Sequence, residues 1–307
     1  MQWRKQGVVW RPTGQRWWAR SHATCPTPVW LQDGTLRFYV QSRDAVNVGR
    51  VGYVDVDPDR PTQVVRVSED PVLDVGAPGH FDDNGAFQTS VLRGPDGRLL
   101  MYYVGFELSV HVRYRLLTGL AVSDDEGESF HRVRTTPILE RSDAEPLFRC
   151  GTFVRLEGGR YRLWYVAGGA WTEVNGKALP VYDLRYLESE DGMAWPSTGR
   201  VTLPLDDPNE HGFGRPYVLK SGTGYQMFFS VRKADVGAYR MGYAESSDGV
   251  TWTRKDRELG LDVSGAGWDS ESIAYPAVVD TGGHRWMYYN GNDFGGTGFG
   301  VAELIEE

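Results

Sequence analysis

One short phrase recurs five times along this chain: a glycine-bearing turn followed by a strand dense in aromatic residues. The copies are Leu36-Arg37-Phe38-Tyr39, Leu100-Met101-Tyr102-Tyr103, Leu163-Trp164-Tyr165, Met227-Phe228-Phe229 and Trp286-Met287-Tyr288-Tyr289. Counted from Tyr39 through Tyr103, Tyr165 and Phe229 to Tyr289, the steps are 64, 62, 64 and 60 residues. The turns before them, such as Asp33-Gly34 and Asp96-Gly97, suit hairpins. Glycine there takes positive φ and aspartate bonds its own backbone. A fixed period built on hairpins means an array of β-units, none of which can bury its face alone.

Each unit repeats an internal order. A first strand runs into the turn (26–31, 88–92, 152–156, 216–219 and 275–279). The aromatic strand follows, and a third strand comes next (49–55, 118–123, 184–189, 239–246 and 298–304). Three of these third strands end in a Ser-x-Asp turn with an aromatic residue behind it: Ser123 to Phe130, Ser189 to Trp195 and Ser246 to Trp252. This turn reads as structural. The fifth copy stops after its third strand, while the segment from Gly7 to Arg20 is strand-like and belongs to no copy. The expectation is an all-β fold, a five-bladed β-propeller of four-stranded blades, with the ring closed by the N-terminal strand. It is read as one domain over residues 1–307.

Composition narrows the function. A net charge of −8 lacks the basic footprint that nucleic acids and anionic membranes demand. No apolar run approaches the roughly 18 residues of a membrane span. No apolar signal core follows Met1-Gln2-Trp3-Arg4-Lys5. Two cysteines, Cys25 and Cys150, are too few for a disulfide scaffold. The expectation is a cytoplasmic protein with neither a nucleic-acid nor a membrane partner.

In a propeller, polar residues near the start of each innermost strand point into one mouth of the channel. His22 and Cys25 stand there in blade one, Asp82 and Asp83 in blade two, and Glu145, Arg149 and Cys150 in blade three. Blade four offers His211 and Arg215, and blade five Trp268, Asp269 and Glu271; Arg43, Arg232, Asn290 and Asn292 follow aromatic strands. Carboxylates from different blades, facing one another across a channel, suit acid–base chemistry on a glycosidic bond. Asp83 is the candidate base or nucleophile and Glu271 the candidate general acid. Trp268, Trp171 and Tyr275 offer ring faces to a sugar. Arg43, Arg215 and Arg232 offer grips for hydroxyls, a carboxylate or a phosphate. His22, Asp82, Glu145, His211, Asp269 and Asn292 complete the candidate substrate contacts. Blander roles compete: turn formation for Asp83 and Glu271, pairing with channel carboxylates for the arginines, and apolar filling for the thiols. The histidines form no metal-ligand spacing.

With these residues in view, essentially the whole chain resembles the five-bladed propeller glycosidases, the group around glycoside hydrolase families 32, 43 and 68. The likeness rests on the blade count, the Ser-x-Asp-Gly-x-x-Trp turns, and Trp286 to Asn292 followed by Thr297 to Ala302. It implies a glycosidase acting on a small-molecule or oligosaccharide substrate. It implies no organic cofactor, with a channel cation such as calcium in some relatives. It also implies a carboxylate opening blade one and a glutamate opening blade three. Here those stretches read His22-Ala23-Thr24-Cys25-Pro26 and Phe148-Arg149-Cys150-Gly151. Asp83 matches the acidic helper of blade two, and Glu145 is the fallback acid of blade three. Two alternatives stay open. One is a sialidase-like hydrolase, because Ser123 to Phe130 has the Ser-x-Asp-x-Gly-x-x-aromatic spacing of sialidases. The other is a sugar-binding propeller without turnover.

Overall fold

A computed structural model describes residues 1–306. After β1 (Gln2–Trp10) the strands fall into five antiparallel groups. The first holds β2 (Ser21–Trp30), β3 (Leu36–Arg43), β4 (Gly49–Val56) and β5 (Val64–Val67). The second holds β6 (Ala86–Arg93), β7 (Leu99–Leu108), β8 (Tyr114–Ser123) and β9 (His131–Arg132). The third holds β10 (Phe148–Glu157), β11 (Arg160–Val174), β12 (Lys177–Ser189) and β13 (Arg200–Leu203). The fourth holds β14 (Glu210–Ser221), β15 (Gly224–Lys233), β16 (Ala238–Ser246) and β17 (Thr253–Arg254). The last holds β18 (Ala274–Thr281), β19 (His284–Asn290) and β20 (Phe299–Glu306).

β1 supplies the fourth strand of the last group, pairing antiparallel with β20 so that Trp3 faces Leu304 and Val8 faces Gly300. This strand starts and ends earlier than the expected Gly7 to Arg20, because Pro12 and Gly14 interrupt it. Beyond them the chain bends and buries Trp18, whose Nε1 donates to the Glu69 carbonyl at 2.9 Å. Short parallel pairings join β8 to β10 and β12 to β14. First strands also touch in order: β2 meets β6, β6 meets β10, β10 meets β14, β14 meets β18, and β18 meets β2.

The aromatic strands lie in the middle of their groups, so both faces of each must be covered. Tyr39, Tyr102, Tyr103, Trp164, Tyr165, Phe228, Phe229, Tyr288 and Tyr289 are accordingly all buried. The Ser-x-Asp turns fasten each of the first three groups to its successor. In each turn the serine hydroxyl accepts a backbone N–H, from Gly127 at 2.8 Å, Gly192 at 3.0 Å and Gly249 at 2.8 Å. The same glycines' carbonyls then receive a donor from the preceding group's aromatic strand. Tyr39 donates to Gly127 at 3.1 Å, Tyr102 to Gly192 at 2.9 Å, and Trp164 to Gly249 at 2.7 Å. Gly127 has φ of 81°, and a Cβ there would fall 1.9 Å from the Tyr39 hydroxyl. A side chain at this position would break both the turn and the seam between groups.

Candidate active site

In each group the start of the first strand pairs with the end of the aromatic strand: Ser21 opposite Arg43, Ala86 opposite Gly105, Phe148 opposite Gly168, Glu210 opposite Lys233, and Ala274 opposite Asn290. Around several of these strand ends rings and cations collect. Trp171 packs on Tyr114 (5.5 Å between centroids) and Phe148 (5.8 Å), and Phe148 on Tyr182 (5.9 Å). The Tyr182 and Tyr239 hydroxyls are 2.9 Å apart. Tyr239 in turn packs on Tyr275 (5.7 Å) and Phe294 (5.8 Å). Burial pushes the Tyr182 and Tyr275 phenols well above their ordinary range, so both are neutral.

Arg232 enters this ring cluster from the end of β15. Its guanidinium carbon lies 5.1 Å from the Tyr239 centroid and 5.7 Å from that of Phe294. Arg43, at the end of β3, donates to Asn47 at 3.2 Å. Beside it His22 stands 3.5 Å from the Asp293 carboxylate. Burial first, and Arg43 second, lower the His22 pKa against the opposing pull of Asp293. Burial also lowers that of His211, whose Nδ1 is 3.2 Å from the Pro180 carbonyl. Both imidazoles are therefore neutral at pH 7.

The backbone is strained at the same place. Among the described residues eight non-glycines have positive φ, and five of them are His22, Cys25, Tyr275, Asp293 and Phe294. Each costs on the order of 1–3 kcal/mol, and such strain gathers at functional sites. Asp293 and Phe294 belong to a turn laid across β2, where the Thr24 hydroxyl donates to the Phe294 carbonyl at 2.6 Å.

Other expected site residues occupy different surroundings. Arg215 lies deeper, buried, with Nη2 donating to the Tyr275 and Pro276 carbonyls at 3.1 and 3.0 Å. Asp82, Glu145 and Asp269 are buried inside their own groups and hold ion pairs there. Asp82 meets Arg132 at 2.7 Å and Asp269 meets Lys5 at 2.7 Å. Glu145 meets Arg149 at 2.6 Å and Arg185 at 3.0 Å, and accepts from the Tyr165 hydroxyl and from the Gly199 N–H. Glu210, absent from the sequence-based set, plays the same part in the fourth group, with Arg254 at 2.6 Å. These acids sit one repeat apart, each tying the entrance of a first strand to a cation of an outer or neighbouring strand.

Asn292 is a loop clamp, accepting from the Glu271 and Ser272 N–H groups at 2.8 and 3.1 Å. Trp268 stacks on Tyr289 at 5.1 Å. Asp83 is half-buried, accepts from the Gly79 N–H at 2.8 Å, and lines a cleft of about 360 Å³ with His80, Glu107, Glu140 and Arg141. The Glu271 side chain is exposed, and its carbonyl accepts from Arg240 at 2.8 Å. Among the described residues neither carboxylate bonds to Arg43, Arg215 or Arg232, and no three His, Cys, Asp or Glu side chains form a metal-holding group.

No family model matches the chain. The uncharacterized protein Rv1502 of Mycobacterium tuberculosis is 37% identical over 304 residues, covering 99% of each chain. Two solved structures are similar in fold. A glycosyl hydrolase from Bacteroides ovatus aligns with a TM-score of 0.74 at 14% identity, over 98% of this chain and 92% of its own. A thermostable family-43 glycoside hydrolase aligns with a TM-score of 0.69 at 15% identity, over 94% and 91%.

Proposed function

This chain belongs to the family of the mycobacterial protein Rv1502, and we propose that it is a glycosidase-like carbohydrate-active enzyme working at the mouth built around Tyr239, Tyr275 and Arg232. The fold it shares with glycoside hydrolases supports this reading, but a fold alone does not fix a function. The observation that carries it is the mouth itself: a cluster of packed aromatic rings beside an arginine and polar groups held on strained backbone. We take the five groups to be the blades of one closed propeller domain around a channel. The order of contacts among first strands, returning from β18 to β2, supports that arrangement.

Hydrolysis needs one carboxyl as acid and a second as base or nucleophile. Asp82, Glu145, Glu210 and Asp269 are held in buried ion pairs. That leaves Asp83 and Glu271 as the proposed pair, with Asp293 as the carboxylate nearest the rings and cations. Five strand groups disfavour the sialidase reading, which calls for six blades. A cytoplasmic setting agrees with two buried, unbonded thiols.

The test is a turnover screen of aryl glycosides and nucleotide sugars, run beside Asp83→Ala, Glu271→Ala and Asp293→Ala. Loss of about 10²–10⁴ in rate is expected for a true acid or base. Undiminished turnover in all three variants refutes the assignment. A sugar that raises the melting temperature without turnover supports the binding-propeller reading, which the absence of carboxylates against Arg43 and Arg232 favours.

A further inference from the structure

We infer that the ligand of this mouth is a sugar bearing an oxyanion, a carboxylate or a phosphate; the inference rests on reading the mouth as the sugar site. Two buried polar atoms there, Arg232 Nη1 and Trp171 Nε1, have no hydrogen-bond partner, and His22 Nε2 has only the exposed Asp293 carboxylate at 3.5 Å. In their protein setting the arginine and indole atoms are donors, and the imidazole Nε2 becomes one on taking up a proton. Several buried or half-buried arginines elsewhere meet carboxylates: Arg37 meets Asp55 at 2.7 Å, Arg132 meets Asp82 at 2.7 Å, and Arg185 meets Asp183 at 2.8 Å. Arg215, deeper in the same region, shares with Arg232 the lack of a carboxylate and is held by backbone carbonyls instead. Among the described residues no carboxylate lies within ion-pairing reach of Arg232 or Arg43. A cation drawn out of water without a counter-charge is costly unless a partner arrives. A neutral sugar packed on Tyr239 or Tyr275 could offer Arg232 Nη1 a hydroxyl oxygen but no counter-charge for its guanidinium. A carboxylate or phosphate on that sugar would satisfy it and, by its charge, favour protonation of His22.

Asp293 works in the opposite sense. Its carboxylate is 74% exposed and on a turn, so it flanks the site rather than filling it.

The test is calorimetric and thermal-shift binding of glucuronate, glucose 6-phosphate, inorganic phosphate and glucose to the full chain, with Arg232→Met and Arg43→Met alongside. At least one of the two anionic sugars is expected to bind and glucose not to. Each arginine variant should weaken that binding about 10- to 100-fold, the worth of a hydrogen bond to a charged group. Which of the two binds separates carboxylate from phosphate. If Arg232→Met fails to fold, Arg43→Met, at the rim, carries the test. Failure of both anionic sugars to bind, or equal binding of glucose, or anion binding unchanged in the variants, overturns the inference. Turnover of neutral aryl glycosides without anion binding would leave the glycosidase reading standing and this one fallen. Anion binding without turnover would do the reverse.

Discussion

Glu145→Ala is the perturbation that separates an architectural carboxylate from a catalytic one. Glu145 is 0% exposed, and its partner Arg149 is 2% exposed. The substitution removes ion pairs at 2.6 and 3.0 Å, the acceptor of the Tyr165 hydroxyl, and that of the Gly199 N–H. Arg149 keeps its bonds to the Glu140 and Pro196 carbonyls but no counter-charge. Breaking a buried pair in this way costs about 3–5 kcal/mol. For a chain of 307 residues the unfolding entropy is about 0.65 kcal/mol/K. The melting temperature should therefore fall by about 5–8 °C. Differential scanning calorimetry reads this directly, with Glu271→Ala as the solvent-exposed comparison, expected within about 0.5 kcal/mol of the parent. A Glu145→Ala protein melting within about 1 °C of the parent, or an equal drop in Glu271→Ala, would refute the assignment of Glu145 to the frame.

Two further outcomes follow from burial. Burial raises the Cys25 thiol pKa and pushes that of Cys150 up to about 12, so neither should react with a disulfide reagent at pH 8 until denaturant is added. Fast labelling of the native protein would contradict this. The lowered pKa values of His22 and His211 mean that the unfolded chain takes up protons that the folded chain refuses. Stability from these groups is full above about pH 6.5 and falls as the pH drops below it. The melting temperature should decline between about pH 7 and pH 5.5, and His22→Gln should flatten that decline.

The repeat was legible because it is written in local chemistry. Aromatic strands and Asp-Gly turns act within a few residues, so the five groups and the role of the Ser-x-Asp turns could be read directly. The N-terminal strand's partnership with β20 was legible from a missing fourth strand, but its bounds were not, because Pro12 and Gly14 break it at a place the repeat does not predict. The site was less legible, for two reasons. The turn before β6 sends adjacent side chains different ways, so Asp82 turns inward to Arg132 while its neighbour Asp83 lines an open cleft. Arg132, Arg185 and Arg254, which pair with Asp82, Glu145 and Glu210, lie 50, 40 and 44 residues further along the chain, although Glu145 also pairs with Arg149 four residues on. Yet a signal was there: Asp82, Glu145, Glu210 and Asp269 follow one another at 63, 65 and 59 residues, close to the aromatic period. Acids that keep step with the repeat belong to its frame. Asp293 and the Tyr114, Tyr182 and Tyr239 cluster carried no such mark, because only folding gathers them.

The most direct measurement is a crystal structure of the protein soaked with methyl glucuronide and, separately, with glucose 6-phosphate. The account predicts a sugar over Tyr239 or Tyr275 with its oxyanion within hydrogen-bond distance of Arg232 Nη1. A sugar seated away from the ring cluster, or one whose charged group turns away from Arg232 and Arg43, would contradict it.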